Sequence, residues 1–121
     1  MAVRRVVDDG VTLREISMAI AKRNDRNLSE TQELRIAAGL WLKSLRETAG
    51  ISQRSMSIVL NLEYYTFISQ LENGKGRIPP SRYRDWAAVL QVDEKVFVRK
   101  LLSFYDPVSY EILFGEDEQA A

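Results

Sequence analysis

ISQLENGKGRIPP, residues 68–80, is the stretch on which the fold turns. Ile68 and Leu71 sit three residues apart, the spacing of one apolar face on a short helix, and Glu72 follows at once. Asn73 and Gly74 come next, and the segment ends at the Pro79-Pro80 break. Ser69 and Gln70 fall on the other face, with Lys75 and Arg77 just beyond.

The residues upstream supply a partner for this helix. Ser52 is a good N-cap for a helix from Gln53 to about Leu60, with Met56, Val59 and Leu60 facing inward. Asn61 follows, the non-glycine residue best suited to positive φ. A second helix then spans about Tyr64 to Glu72, burying Ile68 and Leu71, with Phe67 at the margin. Two short helices joined by a tight turn make a helix–turn–helix. In such a unit the first helix crosses the DNA backbone and the second enters the major groove. That geometry makes Tyr65, Thr66, Ser69 and Gln70 the candidates for base contact, since Gln can pair bidentately with adenine and Ser can donate or accept. Arg54, Asn73, Lys75 and Arg77 are the candidates for phosphate contact. Taken singly, each of these is equally an ordinary solvated side chain. The adjacent Tyr64 and Tyr65 also fit a platform for stacking single-stranded bases, although packing one of them against the turn accounts for the pair.

Working outward, nearly every other segment reads as helix, so the expected fold is all-α. Thr12-x-x-Glu15 is a capping box that Val11 and Ile16 can staple, with Leu13, Ile16, Ala19 and Ile20 forming a stripe to about Arg23. Asn24–Asn27 reads as a polar loop, after which Ser29 with Gln32 caps a helix carrying Leu34, Ala37, Ala38, Trp41, Leu42 and Leu45 to Gly50. Beyond Pro80, Tyr83, Trp86, Ala87 and Leu90 share one face. Asp93 caps a helix through Phe97, Leu101 and Leu102, and Pro107 starts a last short one with Tyr110, Leu113 and Phe114 on its apolar side. Trp41, Trp86 and Phe97 read as core. The tail GEDEQAA is acidic. The expected organisation is an N-terminal arm and helix over 1–33, a DNA-binding domain over 34–92, and C-terminal helices and tail over 93–121.

Composition narrows the function. The 121 residues include no Cys and no His, which removes disulfides, thiol catalysis, the common zinc sets and the usual general base. No metal or cofactor is expected, and an enzyme is the weakest reading. No apolar run spans a bilayer and MAVRRVVDDG has no apolar signal core, so a cytoplasmic protein without membrane contact is expected. Net charge is zero, yet residues 34–84 hold eight basic and three acidic side chains (+5) and residues 85–121 three basic and eight acidic (−5). A basic middle beside an acidic end points to a local anionic partner or to plain surface scatter.

The segment 42–90 resembles the Cro/cI-type (XRE) helix–turn–helix family of phage and bacterial regulators, through LKSLRETAGISQ (42–53), ISQLENGKGRIP (68–79) and WAAVL (86–90). The resemblance implies a lambda-repressor-like helix–turn–helix bundle with extra N- and C-terminal helices, acting as a transcriptional regulator and more specifically a repressor. It also implies a buried structural ion pair between Arg46 and Glu72, and a phosphate contact from Gln53. Ser57 and Asn61 stand where the family usually has Ala and Gly. The Ser52-to-Glu72 interval is one residue longer than the common spacing, and LEYYT (62–66) must absorb it. Anchored from Glu72, the base-reading set is the one given above; anchored from Ser52, Glu63 and Tyr64 come forward.

Duplex DNA is thus the expected partner, read by a homodimer. Phe97, Leu101, Phe104 and Tyr105 are the candidate dimer contacts, with the N-terminal helix as another, unless these helices simply enlarge the monomer core. A protein partner is the alternative, as for an antitoxin built on the same scaffold. No small-molecule pocket is expected in so short a chain.

Overall fold

The computed structural model describes residues 12–115, with the side chains of 24–28 left aside. Every element in this range is helical: α1 (Leu13–Thr48), α2 (Gln53–Val59), α3 (Thr66–Glu72), a 3-10 turn (Pro80–Arg82), α4 (Tyr83–Leu90), α5 (Glu94–Tyr105), α6 (Pro107–Tyr110) and a π-helical turn (Glu111–Gly115). None of the described helices is long and apolar enough to cross a membrane. The arm before Thr12, with Val11 of the expected staple, and the tail after Gly115 lie outside the described residues.

The chain divides into two compact units, Met1–Thr31 and Gln32–Ala121. The first holds the capping box at the start of α1: the Thr12 amide donates to Glu15 Oε2 at 2.9 Å and the Glu15 amide to Thr12 Oγ1 at 3.1 Å. Of its expected stripe, Leu13, Ala19 and Ile20 are exposed and Ile16 is half-buried. The loop expected at Asn24–Asn27 is a correction: the backbone there is helical and α1 runs unbroken to Thr48. Asn and Asp lower helix propensity by only about 0.7 kcal/mol each, and with neither Gly nor Pro in the stretch nothing forces a stop. Ser29 therefore stands inside a helix and caps nothing.

The second unit is built around Ala38 and Leu42 of α1, Met56 and Leu60 of α2, Ile68 and Leu71 of α3, Trp86 and Leu90 of α4, and Phe97 and Leu101 of α5. Ile78, in the connection after α3, is wholly buried among them. Trp41 stacks on Phe97 at 5.4 Å, and Phe67 meets Trp86 edge-on at 6.1 Å. The helices after Asp93 belong to this same core. Phe97, Leu101 and Tyr105 are buried inside it and Phe104 packs against its margin, so the side chains expected to form a dimer contact are already occupied within one chain.

Four helices stop in one way. At the ends of α1, α2, α3 and α4, a residue with positive φ (Gly50, Asn61, Gly74, Gln91) turns the chain. The next amide reaches back to the helix: Ile51 to Arg46 O, Leu62 to Ser57 O, Lys75 to Gln70 O and Val92 to Ala87 O. These are Schellman motifs, in which the residue after the turn normally packs back on the helix. Ile51, Leu62 and Val92 do so, each half-buried against the core. Lys75 does not, and is exposed.

Candidate nucleic-acid interface

The two-helix unit is set by local signals. Ser52 Oγ accepts the Ser55 amide at 3.0 Å, starting α2. Its inward face is Met56, Ser57 and Leu60, not the expected Met56, Val59 and Leu60: Val59 is 64% exposed. The positions i, i+1 and i+4 put Ser57 inside, and its hydroxyl satisfies itself by donating to the Arg54 carbonyl at 2.7 Å. After Asn61 the chain takes a turn to Tyr65, so α3 begins at Thr66 and not at Tyr64.

α3 is held from its C-terminal end. Glu72, nearly buried, accepts Arg46 Nε at 2.6 Å and Arg46 Nη2 at 3.1 Å, one donor to each carboxylate oxygen. The hydrogen bonds that Arg46 donates to Glu72 outweigh desolvation and raise the guanidinium pKa, keeping it charged. Arg46 Nη1 also donates to the Ile51 carbonyl at 2.9 Å, tying the pair to the end of α1. Gln53 joins the same cluster, its Nε2 donating to Glu72 Oε1 at 2.9 Å. The side chain for which a phosphate contact was implied is thus engaged in the ion pair, with its carbonyl oxygen and a second N–H left over.

Two glycines set how closely α3 approaches α1. A Cβ on Gly39 would lie 2.5 Å from the Leu71 carbonyl oxygen and 2.6 Å from that of Glu72. A Cβ on Gly74 would lie 2.8 Å from the Ile36 Cα. Neither contact is visible to a periodicity reading.

With Ile68, Leu71 and Glu72 turned inward, Thr66 and Gln70 are exposed and Ser69 is half-buried. Tyr65, at the N-cap position without a side-chain cap, is exposed, as are Glu63 and Tyr64 in the turn. Arg54, Asn73, Lys75 and Arg77 are exposed as well. The structure therefore brings the expected base and phosphate residues to α3, its two ends and the start of α2, and leaves both registers of the turn open to solvent. No protein-family model matches the chain, and no curated protein matches it.

Sequence reasoning missed two cations. Arg35 of α1 donates Nη1 to the Gly76 carbonyl at 3.2 Å and lies 5.4 Å from the Tyr105 ring centre. Arg77 sits 4.9 Å from the same ring, so the loop carrying Lys75 is flanked by two guanidiniums held on one aromatic. The Tyr105 hydroxyl in turn accepts the Ile78 amide at 3.2 Å, fixing the loop to α5. Arg82 braces the other side, donating Nη2 to the Leu60 carbonyl at the end of α2 and Nε to Asp85 at 2.8 Å. In the sequence Arg35 lies among apolar residues, and only the packing of α1 against the Gly74–Arg77 loop exposes its role.

Proposed function

We propose that the chain is a sequence-specific double-stranded DNA-binding regulator, acting as a repressor in the cytoplasm, with α3 as the helix that reads the major groove. The observation that carries this reading is the division of α3: Ile68, Leu71 and Glu72 anchor it, while Thr66, Gln70 and the half-buried Ser69 face outward beside Lys75 and Arg77. Gln70 supplies an amide suited to an adenine edge. Lys75, Arg77 and Arg54 supply positive charge for phosphates, and Asn73 a neutral donor. The +5 charge of residues 34–84 favours approach to a polyanion. Lys75 occupies a position where the other three helix ends have an apolar residue, which is accounted for by a partner needing a cation there.

A second reading is a protein-interaction module, such as an antitoxin. Ile58, Val59, Tyr64 and Tyr65 are all exposed on α2 and the turn, and Ile58 and Tyr65 line one depression with Arg54 and Leu62. Such an apolar group suits a protein surface better than a phosphate backbone.

Selection from a random duplex library at near-physiological salt separates the two. Recovery of a palindrome with half-sites about 10 base pairs apart supports the dimeric regulator, and a single asymmetric site supports DNA reading by a monomer. No enrichment by the folded protein removes the DNA reading in favour of a protein partner.

A further inference from the structure

Three cations meet at the loop that follows α3: Arg35 from α1, and Lys75 and Arg77 from the loop itself. Among the described residues none of the three forms an ion pair. Asp106, on which the Arg77 charge acts, is occupied at the start of α6. Its carboxyl is held below the usual range first by the Ser109 hydroxyl and amide, at 2.6 and 3.1 Å, and only last by Arg77. The guanidinium carbons of Arg35 and Arg77 stand 5.4 and 4.9 Å from the centre of the same Tyr105 ring, so two like charges are held as neighbours. Arg35 Nη1 is bonded to the Gly76 carbonyl at 3.2 Å, and Nε is buried with no hydrogen-bond partner among the described residues. Neighbouring like charges and an unsatisfied buried donor both cost stability, so folding alone does not account for this arrangement. Its product is a fixed Arg35 guanidinium whose Nη2 is uncommitted among the described residues.

We propose that Arg35, Lys75 and Arg77 form one clamp for the phosphodiester backbone, with Arg35 as a phosphate contact contributed by α1. The inference rests on the DNA reading and deepens it, by adding to the recognition unit a cation from a helix outside that unit. Guanidinium N–H groups match the oxygens of a phosphate, while Lys75 adds a point charge. Two of the three side chains are already held on an aromatic face, so less rotamer freedom is lost on contact than from free surface arginines. A phosphate neutralises the like charges that the fold brings together. Arg35 also stands one turn before Gly39, where α1 touches the α3 backbone. A phosphate held by Arg35 therefore sets the register of α3 on the duplex without itself reading a base.

The test uses the full chain and the duplex recovered by selection, with single phosphates replaced in turn by neutral methylphosphonates. Affinities are read by fluorescence anisotropy for the wild type and for Arg35→Gln. The wild type is expected to lose affinity at a small group of phosphates, and Arg35→Gln to have lost its sensitivity at one of these while keeping the others. Its base preference stays the same, and its log–log salt slope is smaller by about 0.9, the value of one phosphate contact. A second measurement needs no substitution: the duplex is expected to protect Arg35 of the wild type from phenylglyoxal, read by mass spectrometry. An unchanged methylphosphonate profile in folded Arg35→Gln, or an Arg35 equally reactive with and without duplex, overturns the clamp and leaves the DNA reading standing. A wild type that binds no duplex removes the DNA reading and the clamp with it. Protection of Arg35 by inorganic phosphate and not by duplex overturns the clamp in favour of a free-anion site.

Discussion

Gly39 of α1 lies directly beneath the Leu71 carbonyl of α3, at a separation where a single methyl group would come within 2.5 Å of the oxygen. The two helices touch backbone to backbone at this point. Since Leu71 and Glu72 sit at the C-terminal end of α3, the contact fixes both the depth of that helix and the exposure of Gln70 one residue earlier.

Gly39→Ala is therefore expected to destabilise the second unit. Alanine gains about 1 kcal/mol in helix propensity, but the obstacle is main chain and cannot rotate away, and overpacking costs about 1–3 kcal/mol. The expected outcome in urea unfolding is a net loss, with the midpoint lowered. A midpoint equal to or above the wild type would show that α1 and α3 separate freely at this point.

Arg46→Ala leaves a nearly buried carboxylate without its partner and is expected to cost about 3–5 kcal/mol. Gln53→Ala removes one donor from the same carboxylate and should cost less, about 1–2 kcal/mol. If thermal melting ranks these two variants in the opposite order, Glu72 is held chiefly by the amide and not by the guanidinium.

On the DNA reading, Gln70→Ala is expected to cost about 1–3 kcal/mol on the selected site and to relax one base position. Lys75→Ala should instead weaken binding to all sequences alike and reduce the salt slope by about one. Titrations by fluorescence anisotropy at several salt concentrations distinguish the two. Equal losses on cognate and random duplexes for Gln70→Ala would remove it from the base-reading set.

Burial raises the pKa of the Tyr105 phenol above 10.0, a shift that the Ile78 amide and the nearby Arg35 and Arg77 oppose. A raised folded-state value means that this group's stability contribution is complete below 10.0 and is lost as pH rises through the folded pKa. Stability should accordingly fall on the alkaline side. Tyr105→Phe should flatten that fall while losing about 1 kcal/mol at neutral pH with the hydroxyl's hydrogen bond. An alkaline limb unchanged in the variant would assign the fall to other groups.

What could be read in advance was mostly local. Ser52, Asp93 and the Thr12/Glu15 box cap by short-range hydrogen bonds, and Gly50 and Asn61 mark turns through their own backbone preference, so a few neighbouring residues were enough to place them. The Arg46–Glu72 pair was expected only through the family resemblance, for nothing at a sequence separation of 26 announces it. Asn24–Asn27 misled because polarity looks like a loop when its small propensity cost is not weighed against an uninterrupted helix. Val59 misled because three- and four-residue spacings both fit so short a segment, and a small serine could be taken inside in its place. Gly39, Arg35 and Arg82 act on groups 22 to 41 residues away, and their roles become visible only when α1 and α4 are laid against the chain between them.

The alternation along α3 has an evolutionary consequence. Ile68, Leu71 and Glu72 carry the fold, while Thr66 and Gln70 carry almost none of it. Mutations at those two outward positions change the presented surface at little cost in folding free energy, and the anchors do not have to change with them. On the DNA reading, a change of target therefore needs only single substitutions at Thr66 or Gln70 that leave the fold intact, with α3 behaving as an exchangeable cassette in a fixed socket.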